Sequence, residues 1–507
     1  MLKEEGIFCQ DTRDFNEGDF LSLVGSILRK SQQLVLPLMV WGGFMLFTAC
    51  TVGPDYVRPT APVPPVYKEL EGWKVAQPKD ESIRGAWWEI FQDPHLNALE
   101  EQVNVSNQNL AVAEAQFRQA RALVQAARGS YFPVLTIGSS YTRSSRSTTL
   151  SPGQTTRRST TSDYLLPVDV SWELDLWGRV RRTVEASQAS AQASMADIEV
   201  TRLLVQAELA QDYFQLRALD AQKQLLEETV TAYQKFLELT TKRYSSGVAS
   251  KLEILQAETQ LRTTQAQAID IGVQRAQLEH AIAVLIGKSP SVFSISAAPL
   301  KMVPPDIPIG IPSELLERRP DIASAERLMA AANARIGVAV AAFYPTVTLS
   351  GSSGFESINL SRWLTWPSGL WAVGGAIAET VFEGGLRRAQ TEQARAVYDA
   401  TVASYRQTVL TGFQEVEDNL AALRILEEEV RAQDEAVKAA QESVTLAINQ
   451  YKAGTVSQLN VIVSQTVALN NKRTAVDILS RRMIASVLLV KALGGGWGQT
   501  GEDHVLK

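Results

Sequence analysis

The chain repeats itself, and that repetition limits what it can fold into more than any other feature. Asn109-Leu-Ala-Val-Ala-Glu114 returns as Asp321-Ile-Ala-Ser-Ala-Glu326, and Tyr131-Phe-Pro133 as Phe343-Tyr-Pro345, both 212 residues later. Gly178, Tyr244, Gly247, Ser250, Leu252 and Gly287 return as Gly385, Tyr451, Gly454, Ser457, Leu459 and Gly494, all 207 residues later. The offset falls by five between Pro133 and Gly178, so the second copy has the shorter strand-loop-strand region.

Each copy reads as helix, strand, loop, strand, very long helix, tight turn, long helix. In copy one the pattern predicts a first helix from Leu96 to Arg128 and a strand starting near Pro133. In that strand Leu135, Ile137 and Tyr141 share one face. A Ser-, Thr- and Arg-rich loop follows over residues 143–162. In the second strand Leu166, Val168, Val170, Trp172, Leu174 and Leu176 alternate with Pro167, Asp169, Ser171, Glu173 and Asp175. Alternation of this kind puts one residue type on each face of a strand. Its length suits a tilted membrane-crossing strand, which needs about 9–11 residues with apolar side chains outward; a half-buried strand of a soluble sheet has the same pattern. Copy two opposes Pro345, Val347, Leu349 and Gly351 to Thr346, Thr348, Ser350 and Ser352. Its last strand, Leu370 to Val381, is Gly-rich and weakly patterned. Asp169, Glu173 and Asp175 would line the polar face, either biasing permeation or simply solvated.

Residues 179–243 contain no proline or glycine. Leu423, Val430, Val437, Val444 and Tyr451 recur every seven residues, a coiled-coil spacing. A helix of about 65 residues is on the order of 100 Å long, far beyond the usual globular helix. Arg243-Tyr-Ser-Ser-Gly247 and Gln450-Tyr-Lys-Ala-Gly454 predict helix ends, because glycine adopts the left-handed conformation that closes a helix. Each long helix then turns back on itself.

Composition excludes several functions. The net charge of −6 is mixed in sign along the chain, with no basic patch for nucleic acid. Only Cys9 and Cys50 are cysteines, and His95, His280 and His504 show no ligand spacing, so neither a disulfide framework, a metal site nor a catalytic constellation is predicted. Arg29 and Lys30 precede an apolar run, Leu34 to Phe47, of signal-peptide length. The run ends in Phe47-Thr48-Ala49-Cys50, which resembles the lipobox of bacterial lipoproteins apart from Phe47; a plain secretory signal is the other reading. Residues 1–28 are polar and read as an over-long start. Pro54 to Pro65 is an extended tether. Four strands cannot close a barrel, and open edges are not tolerated in hydrocarbon, so several chains must share one.

Cys50-Thr-Val-Gly-Pro-Asp-Tyr56, Asp175-Leu-Trp-Gly-Arg179, Glu317-Arg-Arg-Pro-Asp-Ile322, Phe343-Tyr-Pro345 and Ala492-Leu-Gly-Gly-Gly-Trp497 carry a family likeness. Across everything after Cys50 the chain resembles the TolC-type outer-membrane efflux factors, in the lipoprotein branch with OprM and NodT-like proteins. The resemblance implies a mainly α fold with transmembrane β-strands. Each chain gives four strands to a trimeric twelve-stranded barrel, continued by a periplasmic α-helical barrel. It also implies a passive exit duct for small molecules, without cofactor beyond a covalent lipid on Cys50. The implied partners are two further copies, a periplasmic adaptor, an inner-membrane transporter and outer-membrane lipid.

The segments are then a signal (1–49), a tether and equatorial segment (50–96), repeat one (97–287), a Pro-rich linker (288–312), repeat two (313–494) and a tail (495–507). The family's constriction maps onto Tyr451 to Val463, with Tyr451 and Leu459 matching and Asn460 and Val463 replacing its aspartates. Glu253 stands at an acidic position in copy one. A hydrophobic gate from Leu459 and Val463 is predicted, against an ordinary helix seam. Tyr244, Gly247, Tyr451 and Gly454 mark the hairpin tips that would meet the adaptor. A protein-secretion duct and a non-channel coiled-coil lipoprotein remain as alternatives.

Overall fold

The computed structural model describes residues 51–61, 63–69, 85–145, 160–300, 303–305, 307 and 318–495. The signal segment, Cys50, residues 62 and 70–84 of the tether and equatorial segment, the loop 146–159, part of the Pro-rich linker and the tail from residue 496 lie outside the described residues.

The duplication holds at the level of whole elements. A 3-10 turn (Trp87–Phe91) and helix α1 (Pro94–Ser106) lead into α2 (Gln108–Gly129), β1 (Val134–Ile137), β2 (Ser140–Ser145), β3 (Thr160–Leu174), α3 (Arg179–Ser245) and α4 (Lys251–Leu285). Repeat two gives α5 (Pro320–Ala341), β4 (Thr346–Ser357), β5 (Gly369–Ala378), α6 (Leu386–Lys452) and α7 (Gln458–Ala492). α5 follows α2 at the offset of 212 at both ends. α6 and α7 follow α3 and α4 at 207, with identical lengths of 67 and 35 residues.

Two sequence expectations need correction. The single helix from Leu96 to Arg128 is two helices broken at Asn107. That side chain accepts the Leu110 N–H at 3.0 Å and donates to the Leu285 carbonyl at 2.7 Å. It thus caps α2 and ties it to the end of α4. The first strand is interrupted at Gly138-Ser139 without a register shift, since Val134↔Ser171 and Ser140↔Leu165 belong to one continuous pairing with β3. Pro167 stands opposite the interruption and has no N–H to give; only the Gly138 N–H to Pro167 carbonyl bond spans it, at 3.1 Å.

The strands form an antiparallel meander: β1 and β2 end to end, then β3, β4 and β5. Register sorts the side chains into two faces. Leu166 lies opposite Phe355, Val168 opposite Ser353, Trp172 opposite Leu349 and Leu174 opposite Val347. Val347 in turn meets Ile377, Gly351 meets Val373 and Ser353 meets Trp371. The other face carries Thr136, Asp169 and Ser352 in one row and Glu173 beside Thr348 in another. β5 is therefore patterned after all, with Trp371, Val373 and Ile377 on the apolar face and Ala372, Gly374 and Ala376 on the other. The alternation is large against small, which an apolar-versus-polar reading misses. β1, β2 and β5 leave both edges of the sheet open. Among the described residues no helix is long and apolar enough to cross a membrane.

The main core lies where α1, the 3-10 turn and the start of the linker wrap the middle of the long helices. Trp87, Phe91, Leu96, Tyr213, Phe214, Val416 and Met483 are buried there. The linker is held by ions as well. Arg275 reaches Asp220 at 2.7 Å and the Ile295 carbonyl at 2.6 Å, and Arg217 reaches the Ser296 carbonyl at 2.7 Å.

Candidate gate at the helical-hairpin tips

At the end of α3 and α6 far from the sheet, both hairpins turn by one device. The Gly247 N–H donates to the Tyr244 carbonyl and the Val248 N–H to Arg243, at 2.9 Å each; Gly454 and Thr455 do the same to Tyr451 and Gln450, at 3.0 Å each. These paired bonds close a helix through a left-handed residue, and both glycines have positive φ, 72° and 77°. The tip glycines thus do what their spacing predicts.

The two tips are not equivalent in their surroundings. Tyr451 is 2 % exposed, whereas its counterpart Tyr244 is 45 % exposed. Tyr451 packs against Phe236, Ala257, Ala447 and Val461 in a small separate core. Its hydroxyl donates to Glu253 Oε2 at 3.0 Å. The other carboxylate oxygen accepts the Ser250 N–H at 3.0 Å, in a capping box that starts α4. Arg243 lies over the Tyr451 ring with its guanidinium carbon 4.4 Å from the centroid, and donates to the Tyr451 carbonyl. Gln458 donates to the Glu253 carbonyl at 2.8 Å. Burial, with the adjacent Glu253 carboxylate adding to it, pushes the Tyr451 hydroxyl above its ordinary range, so it stays a donor.

Of the other predicted residues, Leu459 and Val463 are 56 % and 53 % exposed on one face of α7. They are not part of a seam within the chain. Asn460 is exposed, and Ser457 makes no side-chain cap, so the capping box of copy one is lost in copy two. The acids Glu173 and Asp175 have structural duties: Glu173 forms a two-pronged pair with Arg179 at 2.9 and 2.6 Å, and Asp175 accepts the first N–H groups of α3, Val180 and Arg181, at 2.9 Å. Sequence reading missed Arg243, Phe236 and Gln458. The available signal was the step of one turn from Arg243 to Gly247 beside the repeated tyrosines.

The sequence profile of the outer membrane efflux protein family matches residues 99–288 and 311–495. The chain belongs to that family. Efflux-protein relatives match nearly end to end. The toluene efflux pump outer membrane protein TtgC of Pseudomonas putida is 32 % identical over 461 residues, 90 % of this chain and 94 % of that one. The cation efflux system protein CusC of Escherichia coli is 28 % identical over 455 residues, 89 % of this chain and 97 % of that one. Among solved structures, the outer-membrane channel OprN superposes with a TM-score of 0.82 at 32 % identity, covering 88 % of this chain and all of that one. The Campylobacter jejuni CmeC channel gives 0.83 at 25 %, covering 89 % and 96 %.

This efflux protein accordingly has the TolC-like fold that the family resemblance implies, and it is a passive outer-membrane channel rather than an enzyme. It resides in the outer membrane and extends into the periplasm. Members of the family form homotrimeric channels that work with adaptor proteins and inner-membrane pumps. The coiled-coil tether reading is thereby set aside.

Proposed function

We propose that this efflux channel is the exit duct of a tripartite pump, assembled as a homotrimer whose sheets close one barrel and whose tips form the gate. Acylation of Cys50 anchors it to the outer membrane. The hairpin tips at Tyr244, Gly247, Tyr451 and Gly454 receive the periplasmic adaptor, and the inner-membrane transporter supplies the energy. The gate has two parts. Glu253 and Arg243 hold Tyr451, fixing repeat two against repeat one. Leu459, Asn460 and Val463 then form a largely uncharged constriction, and a narrow apolar constriction closes a pore by excluding water.

The observation that carries this reading is the bond from the Tyr451 hydroxyl to Glu253, which links the two hairpin tips beside an uncovered apolar face. The relatives named above serve pumps for toluene and for cations; the proposal for this chain is small-molecule export. The test is the oligomeric state of the detergent-extracted protein together with its conductance in planar bilayers. A trimer with a low, gated conductance is expected. A stable monomer without conductance would overturn the duct.

A further inference from the structure

The sheet carries aromatic side chains at two levels, and the outer level includes a segment that the duct and its gate do not use. At the helix end of the sheet, Trp177 stacks on Tyr344 with ring centroids 4.8 Å apart, and its Nε1 donates to the Pro345 carbonyl at 2.8 Å. At the far end, Tyr141 lies 4.8 Å from Tyr164, and Tyr164 lies 5.8 Å from Trp363. β4 joins the two levels with 12 residues. At a rise of about 3.3 Å per residue and a tilt of about 40°, it covers about 30 Å of height, against an apolar band of about 25 Å in outer-membrane barrels. The helices extend into the periplasm. The far level therefore lies at the outer edge of the band, where Tyr and Trp side chains collect.

Trp363 belongs to the β4–β5 connection, residues 358–368, and it fixes where that connection goes. Tyr141 and Tyr164 stand opposite each other on the apolar face, in step with Leu166, Val168 and Val170. Trp363 packs on this face, and its Nε1 donates to the Phe355 carbonyl at 3.3 Å. An apolar barrel face points to lipid, so the connection folds over the lipid side and not across the mouth. It also holds its own shape. The Thr365 and Ser368 hydroxyls both donate to the Arg362 carbonyl, at 2.6 and 2.7 Å, between two 3-10 turns.

Its surface does not suit water. Ile358, Leu360, Leu364 and Trp366 are all exposed, Trp366 at 91 %. Arg362 is the only charged residue of the connection and is exposed. Its side chain has no hydrogen bond or ion pair among the described residues. The acids at this end of the strands, Glu356 and Asp163, stand on the opposite, polar face, where Glu356 pairs with Leu165 and Asp163 with Thr142. The connection between β2 and β3 adds Arg146, Arg157 and Arg158 and no acid. A contiguous apolar patch around an isolated cation marks a membrane contact.

We infer that residues 358–368 form a lipid-binding segment seated in the outer leaflet, with Ile358, Leu360, Leu364 and Trp366 among acyl chains and Arg362 on the phosphate of an anionic glycolipid. The occupant is lipid because the patch continues the face that the membrane already covers, and its one charge is a cation able to grip a phosphate with two N–H groups. The segment is thereby held away from the mouth and takes no part in closing it. This inference rests on the outer-membrane location and on neither the trimer nor the gate, so it fails or survives separately from them.

The experiment places a nitroxide on the full chain at Trp366→Cys, and separately at Leu364→Cys, in outer-membrane vesicles. The labelled parent gives the background from Cys9 and Cys50. Both positions are exposed, so neither substitution removes a packed side chain. Collisions with dissolved oxygen, which concentrates in lipid, should exceed those with a water-soluble nickel chelate at both sites. Nickel-dominated collisions at either site would overturn the seat in the leaflet. A second arm tests the cation with lipid A as the probe. Detergent-extracted wild type should retain several-fold more lipid A through gel filtration than Arg362→Gln, and millimolar inorganic phosphate should not displace it. Equal retention would overturn the role of Arg362. Displacement by inorganic phosphate would overturn the lipid as its ligand in favour of a free anion.

Discussion

Tyr451 and Glu253 belong to different repeats, yet the tyrosine hydroxyl donates to the carboxylate at 3.0 Å inside a core that includes Phe236 and Val461. A hydrogen bond to a charged group contributes about 1.5–3 kcal/mol. Tyr451→Phe keeps the ring, its packing and the stacked Arg243, and removes the hydroxyl with its bond to Glu253 and its contact with Thr240. The open probability in planar bilayers should rise by about tenfold or more, since about 1.4 kcal/mol corresponds to a factor of ten. Unchanged gating would show that the bond is structural and the lock lies elsewhere.

Leu459→Ala combined with Val463→Ala removes apolar bulk from side chains that the chain itself does not cover. Such a change costs the fold little, because exposed positions contribute little packing. If the two side chains close the pore, the double variant leaks while keeping wild-type stability. A conductance that stays at the closed level counts against a hydrophobic gate.

Asn460 offers a separate handle on the same constriction. Asn460→Asp places a carboxylate in every copy, and a ring of acids at a narrow pore binds cations and repels anions. Asn460→Asp also restores an acid at the position matching Glu253, opposite Ser457. Expected outcomes are a shift of reversal potential toward cation selectivity and block by millimolar divalent cations. Identical reversal potentials in variant and parent would place Asn460 away from the permeation path.

Much of this architecture was legible because the repeat is a long-range signal that survives local ambiguity. Gly247 and Gly454 announced the tips, and the glycine-free run before Arg243 announced the helix length. Local exceptions were less legible. Asn107 breaks a helix because its side chain has a partner 178 positions away, and no window around it contains that fact. Pro167 interrupts the strand across from it rather than its own. Glu173 and Asp175 looked like pore-lining acids, but Arg179 and the first turn of α3 take them up. The alternation along β3 gives a face and cannot tell a free acid from a paired one. The tip lock was legible in part: Tyr451 and Glu253 were both candidates, while their direct contact and the role of Arg243 required the fold.

Glycines separate strain from collision. Gly247 and Gly287 both close a helix with positive φ, 72° and 69°. A Cβ on Gly247 meets open space, whereas one on Gly287 would fall 2.3 Å from the Ser106 carbonyl oxygen. Gly494 repeats the collision, with the Arg318 carbonyl oxygen at 2.6 Å. Gly247→Ala should thus cost only the conformational strain, about 1 kcal/mol. Gly287→Ala and Gly494→Ala should cost clearly more, because backbone must shift between α1 and α4 or around α5 and α7. Thermal unfolding of the oligomer orders the three variants, and equal losses at all three would refute the collision argument.

Glu100 supplies a pH prediction. It is fully buried in α1, and neither carboxylate oxygen has a hydrogen-bond partner among the described residues. Burial alone raises its pKa well above the ordinary carboxylate range, so the folded protein holds it protonated. The unfolded chain ionises it near the ordinary value. The stability that goes with protonation is therefore complete below that ordinary value. It is lost progressively as pH rises toward the raised one, at about 1.4 kcal/mol per pH unit. Glu100→Gln removes the titration and keeps the shape. The variant should match the wild type near about pH 4 and exceed it in unfolding midpoint at about pH 8, with a flatter pH profile between. Parallel profiles for the two proteins would mean that Glu100 is ionised in the fold and paired with a group beyond the described residues.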